Sequence, residues 1–463
     1  MTFKLKDTFS GIREFIPFNK SEVKIYTCGP TVYDYVTIGN LRAFITADIL
    51  KKSIKYLGYK TFHVMNITDV GHLLGDLEDT EDKLEKSSRI QNKTVWEVAQ
   101  FYSDYFFSAV KKVNVDIPDV VSKATDTIQE QIEIIQLLEK KGYVYKTETG
   151  VYFDVSKVKD YSKLAKRDLN EQVSGVREKV VLDKTKKSQW DFRLWQTAYP
   201  DHQMQWDSPW GKGFPGWHIE CSSIVHKFIG NSIDIHTGGI DLVFPHHTNE
   251  IVQSESAFGK PFVNFWVHNN FINIDGTKIS KSLNNGYKIE DLENRGFNPI
   301  SLRYLYMIAH YSSVINFTFD SLSSAQEALD KIYMYLKINK GFYNKKASVD
   351  PVYKAKFISA IENNIDTPSM LKVLWEVFKD EGLNKNIPVK IATLLDFDKV
   401  FGFNFINYIS EDKLPADILK LFEDRIVARK NKDWVLSDEL RDKIVSKGYL
   451  VIDTGSDTIL IKS

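Results

Sequence analysis

The chain of 463 residues contains only two cysteines, Cys28 and Cys221, which lie 193 positions apart. Two cysteines are too few for the disulfide framework of a small secreted protein. In a reducing compartment, lone cysteines are more often buried thiols or metal ligands than disulfide partners. The sequence therefore leaves three roles open for this pair: a disulfide, metal ligands or inert core residues.

Glycine and proline are also scarce, at 24 and 13 residues, which excludes collagen-like and low-complexity chains. The 61 Lys and Arg residues balance 61 Asp and Glu residues, so no overall field holds the chain on DNA or on an anionic membrane. Long apolar runs and the features of a signal peptide are absent too. We expect a cytoplasmic protein without membrane-spanning segments, in which any nucleic-acid partner binds local basic patches.

The patterns that are present indicate an α/β protein of two to four domains. Residues 23–28 have the apolar pattern of a strand, 41–56 that of a helix and 61–67 that of a second strand. This order, with a glycine-containing loop after the first strand, is typical of a doubly wound fold. The ligand of such a fold lies at the carboxyl ends of the strands, which is where residues 28–40 are found.

Later segments divide the chain further. Residues 155–193 hold 11 Lys or Arg and 6 Asp or Glu, a net charge of +5, which indicates either a basic insertion or an ordinary solvated surface. The α/β pattern returns at 216–285, helical spacing follows Pro299, and two helices and two short strands follow Pro415. We predict a split Rossmann-like catalytic domain (1–115 and 213–298), a connective insertion (116–212), a stem-contact region with a helical bundle (299–405) and a small C-terminal α/β module (406–463).

Two polar segments could bind phosphate groups. Lys278 and Lys281 alternate with serines after a predicted strand, and two mobile ammonium groups suit a polyphosphate, although an ordinary exposed loop is the alternative. In the segment 28–40, Gly39 allows close approach to the start of the next helix, where backbone amides bind anions.

A third constellation could bind a metal. The donors Cys28, Cys221, His246 and Glu250 form an acceptable ligand set for tetrahedral zinc, although core thiols are the alternative. If Pro245 opens a helix, His246 and Glu250 share one face of it and His247 points elsewhere.

In combination these segments resemble the cysteinyl-tRNA synthetase family, a branch of the class I aminoacyl-tRNA synthetases. Residues 28–34 match its Cys-Gly-Pro-Thr-Val-Tyr-Asp opening, and 37–40 and 278–282 stand at the places of the HIGH and KMSKS signatures. Segments 215–222 and 236–250 complete a match that covers essentially the whole chain. Thr37 and Asn40 replace both histidines of HIGH, and Ile279 replaces the methionine of KMSKS.

The resemblance implies a ligase that activates cysteine with ATP to cysteinyl adenylate and transfers it to tRNA(Cys). It implies a monomer with one Zn²⁺ per subunit, bound by Cys28, Cys221, His246 and Glu250, and Mg²⁺ as the counter-ion of ATP. Catalytic roles fall to Lys281, Lys278, Thr37, Asn40 and His236. Nucleotide binding falls to Gly39, Asn40, Asp241 and Lys281, and amino-acid binding to Thr31, Trp217 and Cys28.

The resemblance also assigns the anticodon arm to residues 425–434, where Arg425, Arg429 and Lys432 accompany Trp434. It assigns the acceptor stem and the body of the tRNA to the insertion and the bundle. Two alternatives stay open: a ligase that joins cysteine to a small amine, and a catalytically weakened tRNA-binding paralogue. The second is motivated by Thr37 and Asn40, which carry no proton charge. We expect three further histidines, His226, His268 and His310, to be structural.

Overall fold

The structure is a computed structural model that describes residues 2–71, 82–159, 161, 185–279, 286–409, 415–454 and 457–462. The chain divides into two compact units. The first comprises Met1–Gln326, Val352–Leu374 and Lys399–Phe403, and the second comprises Glu327–Pro351, Trp375–Asp398 and Asn404–Ser463. Among the described helices, none has the length and apolar character needed to cross a bilayer.

Fourteen strands are described in the first unit. In chain order they are β1 (Lys4–Asp7), β2 (Gly11–Glu14), β3 (Val23–Thr27), β4 (Thr61–Ile67), β5 (Val120–Lys123), β6 (Val144–Lys146), β7 (Gly150–Phe153), β8 (Phe192–Gln196), β9 (Phe214–Pro215), β10 (Ile233–Gly239), β11 (Val263–Asn269), β12 (Ile272–Ile274), β13 (Thr277–Lys278) and β14 (Ile315–Phe317). Strands β1 and β2 form an antiparallel hairpin, and β12 pairs with both β13 and β14.

The described α-helices are distributed over both units. In chain order they are α1 (Ile38–Tyr56), α2 (Lys83–Gln91), α3 (Val95–Lys112), α4 (Ile128–Lys140), α5 (Trp217–Phe228), α6 (Thr248–Phe258), α7 (Ile289–Glu293), α8 (Pro299–Met307), α9 (Phe319–Ile338), α10 (Pro351–Glu362), α11 (Thr367–Lys379), α12 (Glu381–Asn384), α13 (Ile387–Phe401), α14 (Ala416–Lys430) and α15 (Trp434–Ser446).

A five-stranded parallel sheet forms the centre of the first unit, in the order β11-β10-β3-β4-β5. From β3 the chain adds β4 and β5 on one side, and it later adds β10 and β11 on the other. Buried apolar residues such as Ile25 and Ile235 fill the central strands, as expected where helices cover both faces of a sheet. The prediction of a doubly wound α/β fold is confirmed, and the order reverses between β3 and β10.

An antiparallel sheet in the order β6-β7-β8-β9 lies in sequence between the two halves of the parallel sheet. Leu138 of α4, Phe153 of β7 and Trp195 of β8 belong to its buried core. Strands β6, β7 and β8 lie within the segment 116–212 predicted as an insertion, whereas β5 of that segment belongs to the parallel sheet and β9 follows the segment. Most of the predicted basic stretch, residue 160 and residues 162–184, lies outside the described residues.

The second unit ends in a small α/β module. Strands β15 (Tyr449–Thr454) and β16 (Asp457–Lys462) form an antiparallel hairpin. Ile418 of α14, Ile444 of α15 and Val451 of β15 share one buried cluster. Two helices followed by two strands is the order that the sequence predicts after Pro415.

Two charged side chains anchor helix α1 in the first unit. The buried guanidinium of Arg42 donates to five backbone carbonyl groups, those of Asn270, Phe271, His310, Tyr311 and Ser313. The buried carboxylate of Asp48 accepts from Arg303 of α8, and Arg303 also donates to the carbonyl groups of Val113, Asn114 and Phe401. Charged groups thus hold the helix that begins at the predicted nucleotide site.

We expect Asp48→Asn to destabilise the protein strongly. The change leaves Arg303 buried without its counter-charge, which costs about 3–5 kcal/mol, and urea unfolding followed by circular dichroism measures the loss. Asp116→Asn is the matched control, because Asp116 is 48% exposed and pairs with Lys52 at 3.3 Å; an exposed pair contributes about 1 kcal/mol or less. Equal losses of unfolding free energy in the two variants would contradict a special contribution from the buried pair of Asp48 and Arg303.

The same pair predicts a pH dependence. Burial raises the pKa of Asp48, but Arg303 and Lys52 outweigh it and lower that pKa below its usual value. The stabilisation from Asp48 is therefore complete above the ordinary carboxyl pKa of about 4 and is lost as the pH falls below it. The free energy of unfolding, measured from pH 7 to pH 3, should fall less steeply with decreasing pH for Asp48→Asn than for the unchanged protein.

Candidate active site

The candidate site lies where the strand order reverses, at the carboxyl ends of β3 and β10, the position at which open α/β sheets bind ligands. Cys28 follows β3 directly, and its amide donates to the carbonyl oxygen of Thr237 on β10 at 3.1 Å. Gly29 comes next, where a Cβ atom would lie 1.6 Å from the carbonyl oxygen of Asn66 on β4. A side chain at this position would displace the loop that carries Cys28.

The four donors that the sequence suggests for zinc lie together in this crevice. They are Cys28, Cys221 on α5, His246 in the turn before α6 and Glu250 on α6, and their donor atoms all lie within 4.8 Å of one another. Cys28 Sγ is 4.0 Å from Cys221 Sγ, and Cys221 Sγ is 3.5 Å from His246 Nε2. His246 Nε2 is 3.0 Å from Glu250 Oε1. All four side chains are buried.

The chemistry of this cluster fits a zinc ion. Two sulfurs, an imidazole nitrogen and a carboxylate oxygen are ligands that Zn²⁺ prefers. Burial raises the pKa of the Cys28 thiol, but the contact with Cys221 and the nearby histidines outweigh it and lower that pKa well below its ordinary value. Burial and the neighbouring Cys28 raise the pKa of Cys221. A buried thiolate beside a buried carboxylate is a setting that a divalent cation stabilises.

Two side chains orient His246. Nδ1 of His218 lies 3.0 Å from Nδ1 of His246, which leaves Nε2 of His246 facing the cluster. The half-buried ring of Trp217 lies over the imidazole of His246, with 4.3 Å between the ring centroids. Partners of this kind fix the orientation of a metal-binding histidine.

His236 and His247 form a second possible ligand set with Cys28 and Glu250, again with all donor atoms within 4.8 Å. His236 Nε2 is 3.0 Å from Glu250 Oε2. Burial lowers the pKa of His236, but Glu250 and Cys28 outweigh it and raise that pKa to about 9.

The prediction that His247 points away from the cluster is wrong, because its Nε2 lies 3.3 Å from Cys28 Sγ. The backbone is extended at Phe244, whereas His247 has helical dihedral angles and leads directly into α6. His246 and His247 lie four and three residues before Glu250, and residues three and four apart share one face of a helix, so both rings face the cluster.

Sequence reasoning did not identify Thr8, whose hydroxyl lies 2.6 Å from His268 Nδ1. His268, which we expect to be structural, lies near the carboxyl end of β11 and 2.7 Å from His247, next to the cluster. A histidine near the end of a central parallel strand is the signal that could have identified it.

The first turn of α1 forms the other part of the site. Thr37 is the N-cap residue, and the Asn40 side chain accepts from its amide at 3.0 Å and from its hydroxyl at 2.8 Å. The backbone amide of Asn40 donates in return to the hydroxyl oxygen of Thr37 at 3.5 Å, which completes a reciprocal capping box. Gly39 lies in this turn, where helix amides lack intrahelical acceptors and bind anions.

The lysine-bearing loop flanks this turn. Ile279 packs so closely on Gly39 that a Cβ atom there would lie 2.6 Å from Ile279 Cδ1. The Ile38 amide donates to the carbonyl oxygen of Tyr287 at 2.8 Å. Lys278 on β13 is exposed, and residues 280–285, which include Lys281, lie outside the described residues. The two signature segments therefore meet through the flanks of the loop.

Thr31 and Asp241 are not among the donors of the buried cluster. Half-buried Thr31 forms a bridge with Thr68, and Asp241 is exposed in the short turn Ile240–Leu242 after β10. Asp241 thus follows a strand end at the edge of the sheet that carries the site.

The predicted anticodon residues differ in exposure. Arg425 is buried, so its side chain does not present a cation to a partner. Trp434 is 56% exposed, and the guanidinium of Arg429 lies 5.7 Å from the centroid of its ring. The prediction therefore needs correction at Arg425, while Arg429 and Trp434 remain suited to stacking against a base.

The chain is similar to known proteins over almost its whole length. The family model described as the catalytic domain of class I tRNA synthetases (C) matches residues 14–327. A cysteine–tRNA ligase of Treponema denticola is 38% identical over 494 residues, covering 99% of this chain and 99% of its own. Cysteine–tRNA ligase 1 of Burkholderia lata is 39% identical, covering 98% of this chain and 96% of its own.

Among solved structures, Mycobacterium tuberculosis methionyl-tRNA synthetase bound by methionyl-adenylate matches with a TM-score of 0.56. The match covers 84% of this chain and 92% of the other, at 12% sequence identity. At that identity the likeness shows a shared fold alone.

We expect Cys221→Ser to lower the zinc content of the purified protein, because a serine hydroxyl is a far weaker zinc ligand than a thiolate. Zinc per chain is measured by elemental analysis of the full-length protein. Ser223→Ala is the matched control, a buried change on the same helix that removes a hydrogen bond to the Glu220 carbonyl group. A Cys221→Ser protein with an undiminished zinc content would rule out Cys221 as a ligand.

Proposed function

This chain belongs to the cysteine–tRNA ligase family, and we propose on that basis that its signature segments bind ATP while the buried cluster around Cys28 recognises cysteine. The enzyme is a class I cysteine–tRNA ligase, which joins cysteine to tRNA at the expense of ATP. The observation that carries the division of roles is the position of the cluster and of the first turn of α1 at the carboxyl ends of the parallel strands, where the strand order reverses between β3 and β10.

We assign recognition of the amino acid to zinc bound by Cys28, Cys221, His246 and Glu250, one ion per subunit. The ion, when bound, holds the thiol of cysteine as a thiolate, which the hydroxyl of serine replaces poorly. Shape alone discriminates substrates by about 1–3 kcal/mol, so a sulfur-selective ligand supports rejection of serine without an editing site. Trp217 lies beside the cluster as a wall of the pocket, and we assign Thr31 to the same pocket.

His236 has a positioning role in this scheme. Its ring is within hydrogen-bonding distance of the Glu250 carboxylate, whose other oxygen faces His246. Because a carboxylate only accepts hydrogen bonds, Nε2 of His236 donates to Glu250 and holds that carboxylate beside the cluster.

Activation of cysteine requires ATP and Mg²⁺. The carboxylate oxygen of cysteine forms a bond to the α-phosphorus, the bond from that phosphorus to the bridging oxygen breaks, and pyrophosphate leaves. We assign Lys281 and Lys278 to the departing phosphates, Gly39, Thr37 and Asn40 to the nucleotide phosphates, and Asp241 to the ribose. The protein contributes positioning and charge stabilisation, and no covalent enzyme intermediate is needed.

Transfer of the acyl group to the 3′ end of tRNA(Cys) completes the reaction. Exposed Trp434 and neighbouring Arg429 support contact with the anticodon arm. We assign the acceptor stem and the body of the tRNA to the insertion and the helical bundle. We further propose that the enzyme acts as a monomer in the cytoplasm.

Cysteine-dependent exchange of pyrophosphate into ATP, followed by charging of a defined tRNA(Cys), tests this proposal. We expect both activities in the full-length protein, and we expect Lys281→Ala to reduce exchange while zinc content and cysteine binding stay nearly unchanged. Exchange without transfer to tRNA would indicate a ligase that acts on a small amine. Absence of exchange would indicate a tRNA-binding paralogue, and a Lys281→Ala change confined to cysteine affinity would contradict the role of this lysine.

A separate prediction concerns the contact between the two signature segments. Gly39→Ala should lower the exchange rate, because the new methyl group overlaps Ile279 Cδ1 and displaces the base of the lysine-bearing loop. Adding Ile279→Val, which removes that Cδ1 atom, should restore part of the rate. Gly341→Ala is the control, since a Cβ atom there meets nothing within 4 Å. If the second change restored nothing, the contact would not be what positions the loop.

A further inference from the structure

Four cations lie in helix α2 and just after it, namely Lys83, Lys86, Arg89 and Lys93. The first three are spaced three residues apart, so they share one side of the helix. Lys86, Arg89 and Lys93 are exposed, and Lys83 is half-buried. Clustered cations of this kind create a local positive potential that attracts phosphate groups.

The two carboxylates at the start of α2 turn toward the interior of the protein. Asp82 Oδ2 lies 3.5 Å from His202 Nε2, and Glu85 Oε1 lies 3.9 Å from His202 Nδ1. The side chain of Asp82 is 1% exposed and that of Glu85 is 23% exposed. The side of α2 that faces solvent is therefore predominantly basic.

Exposed aromatic rings adjoin these cations. Tyr35 is 37% exposed and Phe101 on α3 is 41% exposed, and their rings meet edge to face with 6.1 Å between the centroids. Lys93 Nζ lies 4.9 Å from the centroid of Phe101, and Lys83 Nζ lies 5.0 Å from the centroid of the Tyr33 ring. Proteins that bind unpaired nucleic acid combine these two features, because bases stack on the rings while cations contact the phosphates.

This surface is continuous with the nucleotide site. Tyr33 and Tyr35 lie in the chain between Cys28 of the buried cluster and Thr37, the N-cap residue of α1. Lys288, in the segment that follows the lysine-bearing loop, places its Nζ 4.4 Å from the centroid of Tyr35. The exposed rings thus adjoin the place where the proposed function brings ATP and cysteine together.

The transfer step defines what has to reach this place. The terminal ribose of the tRNA must approach the carbonyl carbon of the adenylate, and the nucleotides that precede this ribose are unpaired. We infer that the α2–α3 surface, formed by Tyr33, Tyr35, Lys83, Lys93 and Phe101, binds the unpaired 3′ end of the tRNA. The inference rests on the proposed function and deepens it, because it gives the unpaired end a binding surface apart from that of the paired stem.

Phe101→Leu in the full-length protein tests the stacking contact, because leucine keeps an apolar side chain without a ring face. Equilibrium binding is measured with a complete tRNA(Cys) transcript and with one that lacks its unpaired 3′ nucleotides. We expect the dissociation constant of the complete transcript to rise about 10-fold and that of the trimmed transcript to stay the same. Phe101→Trp, which keeps a ring, should stay within about twofold of the unchanged protein with both transcripts.

Phe228→Leu is the matched control. Phe228 is 36% exposed and has Lys227 Nζ 5.7 Å from its ring centroid, but it ends α5 shortly before β10 begins and so lies toward the amino ends of the strands. It should leave the binding of both transcripts unchanged. Neither Phe101→Leu nor Phe228→Leu should alter cysteine-dependent pyrophosphate exchange, because exchange requires no tRNA.

The cations are tested by the dependence of binding on salt. Lys93→Ala should lower the slope of the logarithm of affinity against the logarithm of salt concentration by about 0.7 for the complete transcript, the effect of one phosphate contact to a single strand. The slope for the trimmed transcript should not change. Lys260→Ala, an exposed change shortly before β11 begins, should alter neither slope.

The outcomes separate this inference from the proposed function. Equal losses of affinity for the two transcripts in Phe101→Leu would show that the surface binds the paired part of the tRNA, and an unchanged affinity for both would show that it binds no tRNA; either result would overturn the inference. Equal binding of the two transcripts by the unchanged protein would overturn it as well. Absence of pyrophosphate exchange in the unchanged protein would contradict the proposed function alone, and the comparison of transcripts would still decide the role of the surface.

Discussion

The parallel pairing of β3 with β10 is the constraint on which the whole site depends. In its register Ile25 faces Ile235 and Thr27 faces Thr237, and the two threonine hydroxyl groups lie 2.8 Å apart. Cys28 leaves the end of β3 at this point, while α5 and α6 flank β10. A shift of the register by one residue would reverse the direction of every side chain on the strand and separate Cys28 from the other donors.

Local patterns in the sequence predict much of this arrangement, whereas contacts between distant segments account for what they miss. Apolar periodicity predicts α1 and β4, and motif order places Cys28, His246 and Glu250 at one site. The orientation of His247 follows from its position three residues before Glu250, a spacing that shares a helix face as the four-residue spacing of His246 does. Thr8 and His268 are separated by about 260 positions, so nothing local in either segment connects them to the cluster.

Burial explains a further difference between sequence and structure. Arg425 is a charged residue on a predicted helix, where exposure to solvent is expected, but the C-terminal module buries it. Trp434, whose large apolar ring would suit a core, is exposed instead. The cluster itself places thiols, imidazoles and a carboxylate out of contact with water, where charged groups cost free energy unless they are paired. Opposing pKa changes, such as the rise of His246 to about 10 under the influence of Glu250 against the effect of burial, show how strongly these groups interact. Binding of a cation would therefore contribute to folding as well as to recognition.

The capping box at the start of α1 makes the effects of mutations at its two positions depend on each other. Each side chain of Thr37 and Asn40 bonds to the backbone of the other residue, so a change at one position alters the role of the other. A single replacement at either position breaks the reciprocal cap and costs the helix about 1 kcal/mol. A single change that removes one half of the cap, such as alanine at either position, therefore weakens the start of the helix unless the other residue changes with it.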